Sequence, residues 1–119
     1  MEETQETKNA LVEKRFKALQ SKLKVQFNRQ PSMDAILFII GMNAIGKGNV
    51  KYDREEKMNL LHVAHCTIFE ISGYYELERT DEDGWPHFKT LKQYPAMELH
   101  EQEFFLKENI LKYFDSINY

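Results

Sequence analysis

The sequence predicts a mainly α fold: a four-helix bundle-like domain with one small β-hairpin between the third and fourth helices. Three observations carry that expectation. Apolar residues recur at three- and four-residue spacing in most of the chain. Capping residues and glycines stand at the ends of those stretches. After Gly73 the period changes to two, around a turn-forming Asp-Glu-Asp-Gly. The 119 residues fit a single domain, 1–119, at roughly 100–200 residues per domain.

Val12, Phe16, Leu19, Leu23 and Phe27 fall at spacings of four, three, four and four, one stripe of an amphipathic helix. Lys14, Lys17, Lys22 and Lys24 mark the opposite side, so residues 1–30 read as a basic N-terminal helix. It is expected to end before Pro31, because the residue preceding a proline avoids helical geometry. Ser32 caps a second helix, with Asp34 in its first turn, where negative charge suits the helix dipole. AILFIIGMNAI follows, apolar nearly all round, and is expected to be buried as either a helix or a central strand; its length favours the helix. Gly46 and Gly48 end it.

Asp53 and Glu56 have the spacing of a capping box and open a third helix from Arg54 to Ser72. Met58, Leu61, Ala64, Ile68 and Ile71 are assigned to one face, flanked by Leu60, Val63 and Phe69. Gly73 supplies the C-terminal cap. Residues 74–92 then read as a hairpin: Tyr75, Leu77 and Arg79 alternate with Glu76 and Glu78, Asp81 to Gly84 turn the chain, and Trp85 to Leu91 return. Pro86 lacks an N–H and confines that strand to an edge. Tyr94-Pro95 interrupts the chain before a last helix, Glu98 to Phe114, with Phe105, Leu106, Ile110, Tyr113 and Phe114 for the core. No repeat or low-complexity linker is present.

The stretch from Asp34 through DEDGWPHFK to the last helix resembles a family of small uncharacterised bacterial proteins, over roughly the last two-thirds of the chain. The resemblance implies a free-standing protein and carries no assigned activity.

The net charge of −3 is unevenly spread: residues 1–30 hold seven basic and four acidic side chains, and the remainder nine and fifteen. Phosphate binding needs concentrated positive charge, and no aromatic residue interleaves with the lysines of the first helix, so nucleic acid is not the expected partner. A single cysteine, Cys66, excludes an intrachain disulfide. The polar, acidic start, Met1-Glu2-Glu3-Thr4, is unlike a signal peptide. The longest apolar run, Ala35 to Ile40, is far short of the about 20 residues of a membrane span. The expected location is cytoplasmic.

Four features could carry chemistry. GMNAIGKG, Gly41 to Gly48, approaches a phosphate-binding loop but places Gly48 where Mg²⁺ needs a hydroxyl, so it reads as a helix end. His62, Cys66 and Glu70 lie one turn apart along the third helix and form a candidate zinc or iron seam, with His65 beside it. Completing such a site needs His87, His100, Asp81 or Asp83. The competing reading is a set of core histidines and a small buried thiol, with no cofactor. Cys66 as a nucleophile is disfavoured by its mid-helix, apolar setting. Finally, Trp85, His87 and Phe88 beside Asp81 and Asp83 have the composition of a protein-contact surface, and the acids would steer a basic partner. The alternation leaves open whether Trp85 and His87 or Pro86 and Phe88 face inward, with Trp85 favoured because a hairpin needs a packed face. The expected function is that of a non-enzymatic interaction or structural protein acting as a homodimer, the N-terminal helix being the self-association element. The alternative is a metal- or small-ligand-binding protein built on the third-helix seam.

Overall fold

The computed structural model describes residues 5–47 and 50–119. Residues 1–4 lie outside it, as does Gly48, assigned above to the end of the second helix. Four helices and a two-stranded hairpin follow in the expected order: α1 Gln5–Phe27, α2 Met33–Ile45, α3 Arg54–Glu70, β1 Tyr75–Thr80, β2 Pro86–Thr90 and α4 Leu99–Ser116. No helix among the described residues is long and apolar enough to cross a membrane.

The chain divides into two compact units. One comprises the chain up to Pro31 with Pro95–Tyr119, and the other is Ser32–Tyr94. The boundaries fall at Pro31-Ser32 and Tyr94-Pro95, each beside a proline that forbids a continuous helix.

In the first unit α1 packs on α4. Val12, Phe16, Leu19 and Leu23 are buried as the stripe requires, whereas Phe27, its last member, is exposed. The reason is local: Asn28 takes a left-handed φ of 61° and stops the helix there, short of Pro31. Successive contacts advance together along both helices. Glu13 meets Lys107, Arg15 meets Asp115, and Lys22 donates to the Tyr119 carbonyl. The two helices therefore run in the same direction, which sequence neighbours joined by a short loop cannot do. Burial opposes charge on Lys107, but the carboxylates of Glu13 and Glu103 outweigh it and hold its pKa above the ordinary value. In α4, Ile110, Tyr113 and Phe114 are buried as expected, while Phe105 and Leu106 are half-buried. Asn109, not assigned to the core, is fully buried and donates to the Phe105 carbonyl at 2.8 Å.

The second unit is built on α2 and α3. Ser32 accepts from Ala35 N–H, and Gly46 closes α2 at φ 64° with its N–H on the Met42 carbonyl. Asp53 and Glu56 form both bonds of the capping box. Two expectations are corrected. α2 is not buried all round: Ile36, Ile40 and Gly41 are buried, and Leu37, Phe38 and Ile39 only partly. On α3, Ala64 and Ile68 are buried as assigned, but Met58 and Ile71 are exposed and Leu61 is half-buried, and the buried face is completed by the flanking Leu60, Val63 and Phe69 together with Cys66. Gly41 explains the shift. A Cβ there would lie 2.3 Å from the backbone oxygen of Leu60, so α2 approaches the backbone of α3 at Leu60 itself. GMNAIGKG thus supplies a helix crossing and a helix cap.

β1 and β2 pair antiparallel, with an irregularity between Leu77 and Arg79 that leaves Glu78 without a strand partner. The turn is the expected one. Gly84 takes φ 88° and donates to the Asp81 carbonyl, while the Asp81 carboxylate accepts from Asp83 N–H and Trp85 N–H.

Gly41→Ala forces α2 and α3 apart and is expected to lower the thermal unfolding midpoint, at a cost of roughly 1–3 kcal/mol for overpacking. Circular dichroism melts of Gly41→Ala and Gly46→Ala test this. An added Cβ at Gly46 meets open space, and its cost there is only the roughly 1 kcal/mol of a side chain in the left-handed region, so a smaller loss for Gly41→Ala than for Gly46→Ala would show that the crossing is not limiting.

Candidate functional site

α3 and the hairpin pack together within the second unit and leave a groove of about 470 Å³ between them. α3 contributes Glu56, Asn59 and His62 to its wall. The hairpin contributes Glu78, Arg79 and Asp81 from one side, and Trp85, His87 and Phe88 from the other. Strict alternation would send Glu78 and Arg79 to opposite faces. The irregularity at Glu78 brings both to the groove. The same loss of alternation answers the facing of the return strand: Trp85, Pro86, His87 and Phe88 are all half-buried, and none is wholly inside.

The groove is chemically asymmetric. Three carboxylates, Glu56, Glu78 and Asp81, stand against one guanidinium, Arg79. Glu56 is partly committed through the Asp53 N–H. Asp81 bonds His87 Nε2 at 2.8 Å, and this bond, with those from Trp85 N–H and Asp83 N–H, holds its carboxyl below the usual carboxylate range. His87 pairs across the hairpin with Arg79, and Phe88 with Leu77. The Lys47 ammonium lies 5.9 Å over the Trp85 ring. Asp83, exposed, takes part through its backbone only in the Asp81 turn.

The third-helix seam does not converge. His62 is exposed at the groove, and its Nε2 lies 3.7 Å from Cys66 Sγ. Cys66 itself is buried, and burial pushes its thiol up to about 11. Glu70 accepts from Leu77 N–H at 3.0 Å and ties β1 to the end of α3. His65 points into an aromatic cluster: its ring lies 4.7 Å from Phe69 and 5.5 Å from Tyr94 between centroids, and its Nε2 is 2.5 Å from the Tyr94 hydroxyl. Burial, then the charge of His62, lowers the His65 pKa, which favours a neutral ring accepting from Tyr94. Burial and a bond with Tyr75 raise the Tyr94 pKa. Among the described residues, the three ligating side chains whose donor atoms gather within 4.8 Å are Glu98, His100 and Glu101, all exposed and in the first unit. His62, Cys66 and Glu70 are not such a group.

The structure therefore joins residues nominated for different reasons. His62, from the metal seam, shares one groove with Asp81, Trp85, His87 and Phe88, from the contact surface. Sequence reasoning missed Glu56, Glu78 and Arg79. The capping box already placed Glu56 at the start of α3, but nothing in the sequence signals the strand irregularity that turns Glu78.

Two outcomes are expected. A buried thiol of raised pKa is protected, so Cys66 should react with a disulfide reagent at pH 8 far more slowly in the folded chain than after denaturation; equal rates would contradict its burial. The depressed Asp81 carboxyl contributes stability that is complete above the ordinary carboxylate range and fades as pH falls through its lowered folded value. Asp81→Asn should thus lower the melting midpoint at neutral pH and flatten its decline in acid, as followed by circular dichroism across pH. No family model matches the chain, and no curated protein or solved structure matches it either, so the bacterial-family resemblance stands as the sequence left it.

Proposed function

We propose that this chain is a non-enzymatic protein-contact module and that the groove between α3 and the hairpin holds a short basic segment of a partner protein. The observation that carries this reading is the half-buried Trp85 indole set among Glu56, Glu78 and Asp81. An indole face attracts a lysine or arginine head, and here Lys47 already occupies that kind of position over the ring. The surrounding carboxylates raise the encounter rate of a cationic segment and set its register. A groove of about 470 Å³ accommodates a few side chains and not a folded domain. The protected Cys66 thiol and the hydrogen-bonded His65 are consistent with structural duties.

Trp85 is the sole tryptophan, so its emission reports on the groove directly. Titration with short arginine- and lysine-rich peptides should shift that emission saturably, and added salt should weaken the binding. Glu56→Lys with Glu78→Lys should abolish it. By anisotropy of a labelled peptide, Trp85→Leu should cost roughly tenfold in affinity or more. Emission that stays fixed in millimolar basic peptide, or that responds equally to acidic peptides, would overturn the reading.

A further inference from the structure

A second pocket, of about 310 Å³, lies in the Ser32–Tyr94 unit between α2 and the beginning of α3. Phe38 and Met42 from α2 and Val50 from the connecting loop give it an apolar wall. Lys51, Tyr52 and Lys57 complete the lining. Among the described residues no acid lines it, in a chain with more acids than bases. Neither lysine side chain forms an ion pair among the described residues.

Tyr52 supplies an independent observation. Its ring packs edge-on against Phe38, with centroids 6.1 Å apart, and the residue is only 8% exposed. Its hydroxyl is buried with no hydrogen-bond partner among the described residues. Buried hydroxyls almost always find one, because an unmet donor retains its full desolvation cost. A phenylalanine would fill the same space without that cost. A ligand that brings an acceptor to the hydroxyl accounts for a tyrosine here.

We propose that this pocket binds a small amphiphilic acid, its anionic head held by Lys51, Lys57 and the Tyr52 hydroxyl and its apolar body lying against Phe38, Met42 and Val50. The volume is at the lower end for small-molecule sites and suits a short aliphatic or aromatic carboxylate. The two lysines provide attraction, the hydroxyl becomes a directed donor once binding turns the Tyr52 ring and uncovers it, and the apolar wall selects against bare inorganic anions. The site shares no lining residue with the peptide groove, so either assignment survives failure of the other.

The test is titration with octanoate, followed by NMR of the Met42 and Val50 methyl groups. Octanoate should shift both saturably, while octanol, octylamine and inorganic phosphate should not. Lys51→Glu with Lys57→Glu should weaken octanoate by roughly tenfold or more, as loss of charge-assisted contacts implies. Tyr52→Phe should also weaken octanoate, yet leave the melting midpoint of the ligand-free protein unchanged or higher. That opposite pair of effects separates a ligand contact from a merely structural tyrosine. Linear octanoate shifts, equal binding of octanol or phosphate, indifference to the lysine reversals, or unchanged affinity in Tyr52→Phe would each overturn the proposal. So would sedimentation with anionic phosphatidylglycerol vesicles in the absence of any octanoate shift, since the lysines would then be serving a membrane surface.

Discussion

The close approach of Gly41 to the Leu60 backbone governs the second unit. With no side chain at position 41, α2 comes to within van der Waals distance of the main chain of α3. That contact sets the rotation of α3, burying Leu60, Val63, Ala64 and Ile68 and turning Met58 outward. Both the groove and the pocket inherit this rotation. Lys57 lines the pocket near Phe38 and Met42, while Glu56, Asn59 and His62 line the groove beside the hairpin. A rotated α3 would dismantle both.

α3 also shows why ligand-type residues at helical spacing need not make a site. His62, Cys66 and Glu70 are successive i, i+4 neighbours, yet each meets a different environment. His62 borders the groove, Cys66 is in the core, and Glu70 holds the Leu77 amide. His65 belongs to neither group and completes an aromatic cluster through Tyr94. Metal binding requires donor atoms to converge on a point. Helical spacing aligns side chains along a line, and only packing from other elements can draw them together.

The hairpin is organised by one carboxylate. Asp81 satisfies Asp83 N–H, Trp85 N–H and His87 at once, so the turn is held by its own side chain. That frees Trp85 and Phe88 from closing the turn and leaves them half-buried along the groove, in the same wall as Glu56, Glu78 and Asp81. The acidic character of residues 70–83, evident as composition, becomes a local potential because the strand irregularity at Glu78 adds one more carboxylate to the same wall.

What the sequence by itself determined is local. The Ser32 cap, the Asp53–Glu56 box, the Gly46 terminus and the Asp81–Gly84 turn all depend on atoms within four residues of one another. Their chemistry is complete in the sequence, so the element order could be read from it. Tertiary structure alone decided which face of α3 is buried, that α1 and α4 run in the same direction, and that Asn109 is buried. It also decided that His62 meets Trp85 in one groove and that the Tyr52 hydroxyl is buried with no hydrogen-bond partner among the described residues. These outcomes rest on contacts between residues far apart in the chain. Side-chain volumes and backbone approach distances select among several faces that periodicity leaves equivalent.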